Sequence, residues 1–398
     1  MKGWPKYAIV GASLFLAQII WAQDSRKLSY TGQLSSLAQY SYADRHAYGI
    51  NGRYLPQLNL EITTSKGLFD LEASANLFGN VERNGGDWFH RGKIRPYRVW
   101  MRYSNQHAEL RLGLQKINFG SAQLLRPLMW FDSLDPRDPL QITEGVWGGL
   151  FRYYFKNNAN LWLWILTGNE QRKGWEWTAN RKRFSPEAGG RFQLPVPQGE
   201  AALTLHYRSS TWIPYGTNAP AAGIDTGEFR VGLDAKIDVG VGLCLESTYQ
   251  RLVKDAGLLN NQLAINVGAD YTFAIGNGIG VNVEHLFSAI GDKRLMKENR
   301  TNMTALMLTY PIGLSDMISF IGMYGWEARK GYSFLGWKRD YDKVSINLNA
   351  FWNSKSGQQT TYPPIGGTKV TPMEGVGIQF IFQWTHSAEK TWCRKPAL

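Results

Sequence analysis

The side chains with the most chemical capacity in this sequence are arginines that recur within alternating apolar and polar segments. Arg98 and Arg102 share one segment, Arg111 falls in the next, and Arg152, Arg191, Arg208 and Arg230 follow in later ones, while Arg126 lies in a long connection. A guanidinium is permanently charged and offers forked donors that match a carboxylate or phosphate, so several on one wall suit the passage of anions. The same groups can instead pair with Glu109, Asp132, Asp135 and Asp138 and serve only to hold shape. Sequence leaves both uses open. Trp100, Trp162 and Trp164 occupy the phase of the arginines, and Trp130, Trp175, Trp177 and Trp212 stand in connections. Indoles so placed can stack on sugar rings or act as packing anchors.

Catalytic and metal chemistry find little support. The six histidines, His46, His90, His107, His206, His285 and His386, are scattered, with no Gly-x-Ser-x-Gly and no His-Glu-x-x-His. His206 beside Thr204 and Arg208, and His90 near Asp87, lack the arrangement a nucleophilic triad needs. No two His or Cys have ligand spacing. Cys244 and Cys393 are too isolated for a disulfide framework and are expected to be free thiols. The expectation is a protein that is not an enzyme and takes no metal or other cofactor.

The elements carrying the arginines alternate with a period of two. Phe229, Val231, Leu233, Ala235 and Ile237 interleave with Arg230, Gly232, Asp234 and Lys236, which places one face in an apolar medium and the other in a polar one. Leu110, Leu112 and Leu114 repeat the pattern against Glu109 and Arg111, as do Val376, Ile378, Phe380, Phe382 and Trp384 against Gly377, Gln379 and Gln383. A soluble sandwich also alternates, so the connections must decide. Strands are expected near 28–41, 53–63, 68–78, 95–104, 107–117, 145–156, 159–168, 188–195 and 200–209, with a second set from 226–238 to 373–385. Between them, short connections such as Thr64 to Gly67 and Ser104 to Gln106 alternate with long ones such as Gly79 to Ile94, Asn118 to Glu144 and Ser354 to Pro372. Two connection lengths in strict alternation are the mark of an all-β transmembrane antiparallel barrel, here of about eighteen strands, or sixteen if the short Glu327 to Lys330 connection marks a miscounted pair.

The connection from Asn118 to Glu144 is too apolar for water. It carries Leu124, Leu125, Leu128, Met129, Trp130, Phe131 and Leu134 beside Asp132, Asp135, Arg137 and Asp138. A barrel of this size offers the lumen as the place to bury it. On the other side of the lumen, Asp234, Glu246, Asp270 and Glu284 fall on the polar phase of later strands, so the arginine arc is expected to face carboxylates across a transverse field.

A third long loop folded inward resembles the constriction loop of outer-membrane porins, and the strand count is similar to that of monomeric substrate-specific and alginate-export porins. At residue level the resemblance rests on the strand-to-loop passage from Arg111 to Gly120 and the loop after it. It implies a passive diffusion channel for small anionic solutes or acidic oligosaccharides, with Trp130, Asp132, Asp135, Arg137 and Asp138 in the constriction. The alternatives are a non-conducting assembly or secretion scaffold that docks a partner, and an outer-membrane enzyme.

Lys2 and Lys6 precede an uncharged run from Ala8 to Trp21 that is shorter than the ~20 residues a spanning helix needs. Residues 1–22 therefore read as a secretory signal peptide, 23–398 as one barrel domain, and 387–398 as a periplasmic tail. With export, the formal charge of +12 points away from nucleic acid and towards outer-membrane lipid and lipopolysaccharide, or towards a lumen biased to a small anionic solute. The expected location is the outer membrane.

Overall fold

A computed structural model describes residues 25–43, 45–84, 86–134, 136–138, 140–143, 145–169, 173, 185–212, 224–254, 260–292, 299–354 and 375–393. The expected signal peptide, Asp135 and the last five residues of the expected tail lie outside them, as do Trp175 and Trp177.

The strands are β1 (Ser25–Tyr42), β2 (His46–Thr64), β3 (Gly67–Asn84), β4 (Asp87–Ser104), β5 (Ala108–Gln115), β6 (Val146–Tyr154), β7 (Asn160–Leu166), β8 (Glu187–Val196) and β9 (Gly199–Trp212). They continue as β10 (Ile224–Asp238), β11 (Gly242–Leu252), β12 (Asn261–Phe273), β13 (Ile279–Gly291), β14 (Arg300–Ile312), β15 (Asp316–Gly325), β16 (Lys330–Asp340), β17 (Val344–Asn353) and β18 (Gly375–Cys393). Each strand pairs antiparallel with its sequence neighbours, and β1 also pairs with β18 from Ser25 opposite Cys393 to Tyr42 opposite Val376. The sheet is closed, with 18 strands and no free edge along the barrel wall. Glu327 belongs to the tight turn between β15 and β16, so the short outer connection is real and the count of eighteen stands.

Which face meets lipid follows from exposure. Leu112, Leu163, Leu203, Phe229, Leu245 and Phe380 point outward and are 40–47 % exposed. Their strand neighbours of opposite phase, among them Thr204, Glu228, Arg230, Glu246 and Gln379, are buried. A water-soluble sheet would reverse this, because burying charge and exposing leucine both cost free energy in water. The arrangement suits a hydrocarbon surround, where a closed barrel satisfies every backbone group internally.

Two features depart from the sequence expectation. The stretch from Gly79 to Ile94 is not a long loop: β3 and β4 continue almost to their tip, and β1 and β2 likewise run on to Tyr42 and His46. The outward phase there mixes Gly79, Val81 and Arg83 of β3 with His90, Gly92 and Ile94 of β4, so the alternation that marks a strand fades. At the other end, β18 runs to Cys393, so residues 387–393, which read as tail, are paired with β1.

Candidate functional site in the lumen

The connection between β5 and β6, residues 116–145, is the element that shapes the interior. It leaves β5 with Ile117 and Phe119 packed on Val146 and Leu150 of β6 and on Trp164 and Leu166 of β7, together with its own Trp130 and Phe131. Phe119 stacks on Trp164 at 5.9 Å, and Phe131 meets the same indole edge-on at 5.5 Å. Trp164 fits because Gly189 lies opposite it: a Cβ there would come within 2.7 Å of the indole.

The loop then follows the far wall. Ser121 Oγ donates to the Ala235 carbonyl of β10 at 3.2 Å. Ala122 N and Leu128 N donate to the carboxylate of Glu246 on β11, at 2.7 and 3.2 Å. Gln123 N, Leu124 N and Leu125 N donate to Glu284 on β13, at 2.7, 3.0 and 2.7 Å. Gly120, at φ +98°, permits this close approach, since a Cβ would lie 2.9 Å from the Glu246 carboxyl carbon. Leu124 and Leu125 sink into an apolar patch of Ala264, Leu286, Met303, Ala305 and Met323 on β12 to β15. Farther on, the Arg137 guanidinium lies 5.5 Å from the Phe334 ring of β16. The loop returns at Thr143, whose hydroxyl accepts from Arg98 Nη2 at 2.5 Å. Asp132 is buried within the loop and accepts from Ser133 N, and Asp138 accepts from Leu140 N. Arg126 is turned back onto Asn118 and the Phe119 carbonyl.

This path sorts the arginines into two groups. Arg191 makes a bidentate pair with Asp234 at 2.5 and 2.8 Å, Arg208 bonds Glu228 at 3.1 Å, and Arg230 bonds the same Glu228. Arg191 and Arg230 lie against Phe119 and Trp130 of the loop, and all three side chains are at most 4 % exposed. Next to them, Trp164 Nε1 donates to His206 Nδ1 at 3.1 Å, with Glu187 3.3 Å from the other ring nitrogen. Arg98 is also buried, bonding the Tyr97 carbonyl and Thr143.

The second group stands on β4, β5 and β6 and is less completely covered. Arg102 bonds Asp70 at 2.5 Å, and Arg102, Arg111 and Arg152 share Glu109 at 3.7, 3.1 and 3.5 Å. These arginine side chains keep 15–27 % of their surface. All three lie by indoles: Arg102 and Arg111 are 5.7 and 4.8 Å from the Trp100 ring, and Arg152 is 3.8 Å from the Trp162 ring. Stacking consumes a face of the guanidinium and leaves its edge donors available.

The upper wall adds basic residues that sequence reasoning missed. In β4 the register shifts at Tyr97, because Ser74 pairs with Arg98 but Ala75 pairs with Pro96. This bulge reverses the phase, so Arg91, Lys93 and Arg95 pair with Asn80, Phe78 and Asn76 on the lumen side of β3. All three are exposed, and Arg53 of β2 lies 5.2 Å from the Phe78 ring beside them. Pro96 was the available signal, since proline inside a strand marks an edge or a bulge.

The expected transverse field is altered by the loop. Glu246 and Glu284 are covered by loop amides and Asp234 is spent on Arg191, so the carboxylates of β10, β11 and β13 do not face the arginines across solvent. Among the described residues no group of three or more His, Cys, Asp or Glu could hold a metal ion, and Cys244 is a free thiol.

No protein-family model matches the chain, and no curated protein is similar to it in sequence. Solved structures share the fold. OccK7 (OpdD) of Pseudomonas aeruginosa superposes with a TM-score of 0.52 at 11% identity, over 92% of this chain and 99% of that one. OccAB1 of Acinetobacter baumannii gives 0.52 at 10% identity over 92% and 96%. OccD3 (OpdP) of Pseudomonas aeruginosa gives 0.52 at 10% identity over 91% of each. The fold is that of an outer-membrane porin barrel, a closed ring of eighteen antiparallel strands.

Proposed function

We propose that this barrel is a passive diffusion channel of the outer membrane that favours small anionic solutes, acidic sugars among them. The observation that carries this reading is the division of the lumen. Charges under the loop are paired and buried, whereas Arg102, Arg111 and Arg152 stay partly exposed around one shared carboxylate, Glu109. Above them Arg53, Arg91, Lys93 and Arg95 continue the basic wall towards the outer mouth. A solute anion descending this wall exchanges water for successive guanidinium edges, and each site is weak enough to leave because its arginine retains its own carboxylate. Trp100 and Trp162, flat against those arginines, offer ring faces to a sugar acid.

Planar-bilayer recording under a salt gradient tests the proposal. The expected result is stable conductance with a reversal potential on the anion side, moved towards cations when Arg102, Arg111 and Arg152 are all replaced by Gln. Conductance without that movement would assign the three arginines to structure.

A scaffold reading takes its support from the loop, which covers the inner wall from β7 to β15 and leaves most charges there dry. Purified protein that inserts but conducts no ions would favour it.

A further inference from the structure

The loop is held to the wall by two acidic side chains that the basic path does not use. We infer that Glu246 and Glu284 are positioning residues that set the width of the passage, keeping the loop against β11 to β13 and out of the space beside Arg102, Arg111 and Arg152. The inference rests on the channel reading.

Five consecutive-region amides, those of Ala122, Gln123, Leu124, Leu125 and Leu128, end on these two carboxylates. An irregular loop has no ladder to satisfy its amides, and in this buried position water does not replace the acceptors. A carboxylate supplies the needed capacity: Glu284 accepts from three amides and from Asn266 Nδ2 at 3.1 Å. Both glutamates are wholly buried, so the converging N–H groups take the place of the water that their carboxyl oxygens would otherwise bind.

The two attachments of the loop differ in kind. Leu124 and Leu125 bind the apolar patch without direction, and this contact tolerates sliding. The carboxylate contacts fix register, because each amide must meet a particular oxygen. Replacing Glu284 by Gln keeps the volume but turns one acceptor into a donor facing other donors: either Leu125 N and Asn266 Nδ2, or Gln123 N and Leu124 N. The loop would then stay near the wall but lose its register, and its free length would enter the passage.

The test uses the full chain with Cys244→Ser and Cys393→Ser, carrying Ala122→Cys as a reporter. Ala122 is buried, so a charged, water-soluble thiol reagent should label this parent slowly. Glu246→Gln and Glu284→Gln, each added singly, should raise the labelling rate by about tenfold or more, as loss of a buried charged acceptor permits. In bilayers the same variants, without the reporter, should show frequent closures from an unchanged open level. Labelling and gating that match the parent in folded barrels would overturn the inference. A parent that conducts no ions would fail the channel reading instead, and labelling would still decide whether the carboxylates hold the loop. If the Gln variants do not assemble, Glu284→Asp, which keeps charge but shortens reach, takes the same measurements.

Discussion

Arg152 lies over the face of Trp162, its guanidinium carbon 3.8 Å from the ring centroid, while its Nη1 is 3.5 Å from Glu109. The indole therefore aims the arginine without neutralising it. Replacing Trp162 by Leu should leave the charge of the passage intact and remove the platform. The expected outcome is an unchanged reversal potential with block by glucuronate weakened about 2–5-fold, because Arg152 loses the partly exposed cation–π contact that aims it. Equal block in parent and variant would show that Trp162 does not aim Arg152 at the solute.

Glu109 is the shared acceptor of three guanidiniums, so its charge decides how much of theirs reaches a solute. Glu109→Gln should move the reversal potential further to the anion side, because one negative charge leaves the basic wall. Arg102 keeps Asp70, but Arg111 and Arg152 lose their carboxylate, at a stability cost on the order of 1–3 kcal/mol. Denaturant unfolding of the assembled barrel measures the second effect. A shift towards cations would show that Glu109 does not moderate these arginines.

The arginines under the loop should behave differently. Arg191 and Asp234 form a closed bidentate pair with almost no exposure. Arg191→Leu leaves the aspartate buried without its partner and should cost about 3–5 kcal/mol, whereas Arg191→Leu with Asp234→Leu should recover most of the loss. Neither variant should move the reversal potential. A selectivity change in the folded double variant would place this pair in the conduction path.

The sequence made the barrel legible wherever lipid imposes a phase. Leu110 and Leu112 against Glu109 and Arg111, or Phe229 and Leu233 against Arg230 and Asp234, face the way their alternation requires. Gly79, Arg83, His90 and Gly92 interrupt the outward apolar phase, so the upper halves of β3 and β4 read as loop and the three basic residues on them were missed. The bulge at Tyr97 compounds this, since one extra residue puts the side chains before it, Arg91, Lys93 and Arg95 among them, on the opposite phase to Arg98 and Arg102 after it. The infolding of the loop was legible from Leu124 to Leu134, but its docking was not. Ala122 meets Glu246, 124 residues away, and no local pattern encodes which distant carboxylate accepts a loop amide. The same limit applies to the arginines. Arg152 and Arg191 look alike in sequence, and only the course of the loop makes one wet and the other dry.

The turn between β15 and β16, short for an outer connection, is closed by Glu327, which lies outside the membrane-spanning strands. Its carboxylate accepts from Asn302 N at 2.6 Å and Asn302 Nδ2 at 2.5 Å. Slight burial would raise its pKa, but these hydrogen bonds to the charged form outweigh burial and hold it below the ordinary carboxylate value. A group depressed on folding contributes stability that is present above its unfolded pKa, near 4.3, and is lost as pH falls through the lower folded value. The turn should therefore keep its protection at neutral and mildly acidic pH and loosen only below the usual carboxylate range. Hydrogen exchange at the Asn302 amide, corrected for the intrinsic pH dependence of exchange, reads this directly. Glu327→Gln should abolish the acid-dependent step and give a pH-independent, faster exchange at this amide. Protection already lost between pH 5 and 6 in the parent, or retained at pH 2, would show that another group closes the turn.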